Sequence, residues 1–156
     1  MKMSKLNILS VMFLIVLFQA LPASADELEG VFGEGPRDER LAVLETLKTY
    51  LTVTDEKENA AIRKSFHPTA HLMSVSKNGA LRSLTQDFWW ERVSQISDDH
   101  PGRTSKFFII DVSGHAAVAR IDIKNRGTGL VSTDYLNLQK LDSGWLIVNK
   151  TLSTPL

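Results

Sequence analysis

The run from Ser132 to Leu152, STDYLNLQKLDSGWLIVNKTL, leaves the chain little freedom. Two stretches of period-two alternation flank Asp142-Ser143-Gly144, so this end must form a β-hairpin. With those three residues as the turn, Leu141 faces Trp145, and the pairings Asn137 with Asn149, Leu136 with Lys150 and Asp134 with Leu152 follow. One face then carries Leu136, Leu138, Leu146, Val148 and Leu152. Asp134 and Lys150 sit among these aliphatics as diagonal neighbours within reach of each other. An ion pair on an apolar wall costs desolvation and returns little net stability, so it asks for an explanation.

The opposite end is of another kind. Lys2 and Lys5 precede a mostly apolar run, Leu6 to Leu21, and Ala23-Ser24-Ala25 has the small-x-small form of a cleavage site. Residues 1–25 are therefore expected to be a removed signal peptide, giving an exported protein, periplasmic or secreted. The run is too short and too interrupted by Asn7, Ser10 and Gln19 for a membrane span of about 20 apolar residues. No stable membrane anchor is expected after cleavage. The chain has no cysteine. It can carry neither a lipid-anchored cysteine nor a disulfide, and its stability must come from packing.

Residues 26–156 suffice for one hydrophobic core without staples, so one domain is expected. Without Lys2 and Lys5 the chain has two more acids than bases, and neither sign is clustered. That composition argues against nucleic acid and against an electrostatic membrane patch, leaving small molecules or proteins as partners.

Residues 26–37 are acidic and rich in glycine, without periodicity, and read as a flexible arm; residues 38–156 read as the folded domain. Asp38 is a suitable N-cap for a helix whose inward stripe is Leu41, Leu44, Leu47 and Leu51, widened by Val43 and Tyr50. The pattern breaks over 52–57. A short second helix follows, Glu58 to Phe66, ended by Pro68. Ala70 to Ser76 alternates, with His71, Met73 and Val75 on one face, and Asn78-Gly79 turns it into a return strand. Thr85 caps a helix to about Ile96, with Leu84 and Trp89 as a hydrophobic staple. Ser105 to Val112 is apolar on both faces and reads as a central strand. Ala116 to Lys124 puts Ala117, Ala119, Ile121 and Ile123 on one face and Val118, Arg120 and Asp122 on the other. Helices first and four long antiparallel strands last make an α+β domain, in which two to three N-terminal helices cover one face of a curved antiparallel sheet.

The segments Ser65-Phe-His-Pro-Thr-Ala-His-Leu, Phe88-Trp-Trp-Glu-Arg-Val, Asp111-Val-Ser-Gly-His-Ala-Ala-Val-Ala-Arg, Thr133-Asp-Tyr-Leu and Gly144-Trp-Leu-Ile-Val-Asn-Lys-Thr carry a resemblance. Their order and spacing over residues 38–152 resemble the nuclear transport factor 2-like, cystatin-like cone, with wording closest to its lumazine-binding branch, a relative of the SnoaL-like proteins. The resemblance implies a small pocket between helices and sheet, a pteridine- or flavin-like ligand, and a homodimer through the open sheet face.

Candidate residues carry alternatives. His67 and His71 are four apart, but Pro68 forbids the helix that would bring them together, and an extended segment separates them by about 13 Å, so no metal is expected. His71 is either a hydrogen-bonded core histidine or an acid/base of the pocket. Asp134 and Lys150 recognise a polar ligand or form a pair at the sheet rim. Arg120 extends that polar patch with Asp122 or faces solvent, and Trp90 lines the pocket mouth or covers the sheet edge. Steroid-isomerase-like members of the resembled superfamily use a first-helix tyrosine, and Tyr50 falls at that place. The carboxylate base has no counterpart, because Ser74 stands there.

Two functions follow. One is an exported binding domain with no cofactor, its small planar ligand touching Tyr50, Trp90, Tyr135, Arg120 and the Asp134/Lys150 pair. The other is a small lyase or isomerase passing protons through His71 and Asp134.

Overall fold

The computed structural model describes residues 26–55, 59–95 and 101–153. The expected signal peptide, residues 1–25, lies outside the described residues, as do Ile96 and His100. The described residues run through three helices, α1 (Arg37–Asp55), α2 (Asn59–Ser65) and α3 (Gln86–Ser94), and six strands, β1 (Phe66–Val75), β2 (Leu81–Thr85), β3 (Arg103–Ser113), β4 (Ala116–Asn125), β5 (Val131–Leu141) and β6 (Gly144–Ser153). The strands form one sheet in the order β2-β1-β6-β5-β4-β3. All neighbours are antiparallel except β1 and β6, which pair in parallel. The two edges never meet, so the curved sheet stays open. The helices lie on its inner face, α1 against β3 and β6, and α3 against β1 and β2.

The hairpin of β5 and β6 forms with the pairings Asn137 with Asn149, Leu136 with Lys150 and Asp134 with Leu152. Its turn is one residue shorter than expected: Leu141 pairs with Gly144, and the register shifts between Asn137 and Leu138, leaving Val148 as the extra residue of a bulge. An inserted residue reverses side-chain parity beyond it. Trp145 and Ile147, not Leu146 and Val148, therefore join Leu136 and Leu138 in the core, while Lys150 keeps its inward place beside Asp134.

Strand β4 buries Ala117, Ala119, Ile121 and Ile123, as its alternation demands. Strand β3 is an edge strand, not a central one. Its apolar character on both sides has two causes. A bulge between Phe107 and Ile109 switches its parity, and the segment expected to be a flexible arm lies along its free edge. Phe32 bridges Ile109 in parallel, its amide bonded to the Phe108 carbonyl and its carbonyl to the Ile110 amide (both 2.9 Å), and the Val112 amide donates to the Glu34 carbonyl at 3.0 Å. Two glycines make this approach possible. A Cβ on Gly33 would stand 2.2 Å from the Ile110 carbonyl oxygen, and one on Gly35 would stand 2.4 Å from that of Val112. Arg40 locks the arm by donating to the carbonyls of Val31 (2.8 Å) and Ile110 (2.9 Å).

Helix α1 begins at Arg37, so Asp38 sits in the first turn with Glu39 instead of capping it, where both still favour the positive end of the helix dipole. It continues to Asp55, past the expected break. Its buried stripe is Val43, Leu44, Leu47 and Tyr50. Thr85 caps α3 as expected, accepting from the Phe88 amide at 3.3 Å.

Strand β1 buries Ala70 and Leu72, leaving His71 and Val75 exposed on the outer side, the reverse of the expected facing. The parallel register explains it: Leu72 pairs with the inward Lys150, so His71 pairs with Asn149 and points away.

Candidate functional site

Tyr50 lies seven residues after Val43 on the inward stripe of α1, which aims its hydroxyl at the sheet. Asp134 shares the inward parity of Leu136 and Leu138 on β5, and Lys150 follows the β6 bulge by two residues. The three converge. The Tyr50 hydroxyl donates to Asp134 Oδ2 at 2.6 Å, and Lys150 Nζ donates to the same oxygen at 3.1 Å and to the Tyr50 oxygen at 3.0 Å. The side chains of Lys150 and Asp134 are only 5% and 3% exposed.

Aromatic rings enclose this set. Tyr50, Phe66 and Trp89 pack edge-on or tilted, with centroids 5.5 to 5.9 Å apart. The Lys150 ammonium lies 5.1 Å from the Tyr50 centroid and 5.2 Å from that of Trp89. Desolvation by burial lowers the Lys150 pKa, against the pull of the Asp134 charge. Burial first, and the adjacent Asp134 charge second, hold the Tyr50 phenol well above its ordinary pKa. Tyr50 is therefore favoured in its protonated form and acts as a hydrogen-bonding bridge, donating to Asp134 and accepting from Lys150.

Arg103, at the start of β3, stands near enough for its charge to act on both Tyr50 and Lys150. Its Nε donates to Asp55 Oδ1 at 2.9 Å, with side-chain exposures of 18% and 38%. Its Nη2 is buried and has no hydrogen-bond partner, a condition shared among the described residues only by Gln86 Oε1. Sequence reasoning missed Arg103 by starting this strand at Ser105. The signal lay in the alternation of Arg103, Ser105 and Phe107, which extends the strand upstream and puts all three on one face.

Of the expected ligand contacts, Tyr50, Asp134 and Lys150 come together. Trp90 packs partly buried against the core beside Trp89. Tyr135 and Arg120 pair with each other on the outer side, Tyr135 47% exposed and Arg120 paired with Asp122 (3.2 Å) over the Phe108 ring. His71 is exposed on that outer side too, its Nδ1 3.2 Å from Ser83 Oγ. The sheet therefore separates His71 from Asp134, and the proton-transfer pair is not assembled. An open depression of about 270 Å³ also lies away from the buried trio, lined by Thr104, Lys106, Phe108, Asp122, Lys124 and Val131 among others.

Solved structures share this architecture. A nuclear transport factor 2-like protein of Shewanella baltica OS155 is 24% identical, with a TM-score of 0.70 over 80% of this chain and 99% of its own. A cystatin-like fold protein of Burkholderia xenovorans LB400 is 14% identical, with a TM-score of 0.59 over 75% of this chain and 92% of its own. A ketosteroid isomerase-like protein of Erwinia carotovora atroseptica SCRI1043 is 16% identical, with a TM-score of 0.56 over 76% and 98%. No curated protein matches the chain. The model of the family described as "Putative lumazine-binding" matches residues 38–153, nearly the whole described domain, and the chain belongs to that family, with the fold of nuclear transport factor 2-like proteins.

Proposed function

We propose that this protein is an exported, non-catalytic domain that holds a small planar organic ligand at the cone's inner wall. The observation that carries the reading is the Tyr50–Asp134–Lys150 set, a charged pair almost without solvent and closed in by the rings of Tyr50, Phe66 and Trp89. A buried pair of this kind is poor evidence of a stability device, since an apolar replacement of equal volume does as well or better. Fixed dipoles beside flat aromatic faces suit a heteroaromatic ring with polar edges. The family description points to a pteridine-like ring.

Export rests on Lys2, Lys5, the apolar run to Leu21 and Ala23-Ser24-Ala25. A homodimer through the outer sheet face is part of the proposal, supported by the exposed Val118, Val131 and Tyr135 on adjacent strands. Thermal-shift screening of refolded, ligand-stripped protein against flavins, pteridines and aromatic acids tests the binding reading. At least one class should raise Tm, and a well-folded sample indifferent to all of them would refute it.

A further inference from the structure

Arg103 makes one charge-assisted bond, through Nε to Asp55, and that partner is the more exposed of the two. The terminal Nη2, with two hydrogens to donate, is dry and unpaired. A buried donor without an acceptor carries its full desolvation cost, and such groups in native proteins call for a missing partner. Lys150 is in a related condition. Two of its three N–H groups are taken by Tyr50 and Asp134, and the ammonium lies over the rings of Tyr50 and Trp89. Lys150, over the rings, and Arg103, tied to Asp55 at the end of the helix that carries Tyr50, thus both have donors to spare, whereas Asp55 and Asp134 are engaged by Arg103, Lys150 and Tyr50.

We infer that the ligand of the cone carries a carboxylate, and that Arg103 Nη2 receives it. This inference rests on the proposed ligand-binding reading and adds the chemical class of the ligand. A carboxylate fits better than a phosphate. Asp55 already takes the Nε–H, and of the two terminal nitrogens only Nη2 is buried without a partner, so the site offers one dry nitrogen, which suits a single carboxylate oxygen better than a tetrahedral dianion. Arg103 is then a specificity-determining residue, and Asp55 orients it.

The test compares pterin-6-carboxylate with pterin, the same planar ring with and without the acid, by calorimetric titration of the purified protein. The wild type should bind the carboxylate about 10-fold or more tightly than pterin. R103Q should erase that preference while keeping the affinity for pterin, R103K should retain part of it, and inorganic phosphate should not compete. Equal affinities in the wild type, or a preference that survives R103Q, would overturn the assignment while leaving the ligand-binding reading intact. If neither pterin binds, the pterin ring is excluded as the ligand's core, and Arg103 is decided separately with benzoate and benzamide. The Arg103 Nε–H resonance of wild-type protein should then move with benzoate and not with benzamide or phosphate. No shift, or equal shifts, would refute the role of Arg103 without depending on any variant's stability.

Discussion

Replacing Lys150 by methionine tests the account of the buried pair most directly. The substitution nearly preserves length and volume and removes the charge, so any large effect is electrostatic. Asp134, with its side chain 3% exposed, would keep the Tyr50 hydroxyl at 2.6 Å and lose the ammonium at 3.1 Å. Removing one partner of a buried pair costs about 3–5 kcal/mol, because a carboxylate is left uncompensated in a dry site. At about 3–6 °C per kcal/mol for a domain of this size, Tm should fall by about 10–25 °C. The triple variant Tyr50→Phe, Asp134→Leu, Lys150→Met removes every polar group at once and should return to within about 1 kcal/mol of wild type. Urea unfolding monitored by tryptophan fluorescence, with m-values compared, measures all of them. A cost below about 1 kcal/mol for Lys150→Met would refute the reasoning, as would a triple variant no more stable than the single one.

Three further outcomes are expected. Gly33→Ala should detach the arm from β3 at a cost of about 1–3 kcal/mol, since its Cβ would meet the Ile110 carbonyl at φ +124°; faster hydrogen exchange at the Ile110 and Val112 amides would report it, and unchanged exchange would contradict it. Thr85→Ala should cost about 1 kcal/mol by freeing the Phe88 amide at the start of α3, read as a lower urea midpoint at constant m-value. Tyr50, its pKa raised in the folded state, contributes stability that is fully present below pH 10.0 and lost above it, while Lys150, its pKa lowered, acts in the opposite sense below 10.5. Tyr50→Phe should flatten the decline of stability above pH 10.0, and an unchanged slope would exclude Tyr50 as its source.

Strict alternation made most of the sheet legible. The face of β4 and the pairings around Asn137 and Asn149 needed nothing beyond period two, and Asp134 with Lys150 stood out because charge is conspicuous on an apolar face. The rest failed where one residue breaks the period. The bulge at Val148 is invisible in composition, yet it decides that Trp145 and Ile147 go inside. His71 was misplaced because the parity of β1 is set by a parallel neighbour distant in the chain, with Leu72 aligned on Lys150. The arm had no periodicity to read, because its attachment is made by backbone groups and by the lack of side chains on Gly33 and Gly35. Arg103 was hidden by a strand boundary drawn two residues late.

The parallel contact between β1 and β6 has a kinetic meaning. It joins residues as far apart as His71 and Asn149, 78 positions along the chain, whereas Asp134 and Lys150 are 16 apart and belong to one hairpin. Closing the longer loop costs more entropy and is rewarded only once the intervening strands exist. The meander of β3 to β6 should therefore assemble first, bringing acid and base together while both are still hydrated. Tyr50 and Trp89 arrive with the helices, so drying of the ion pair becomes a late event, and substitutions there should act mainly on the rate of unfolding.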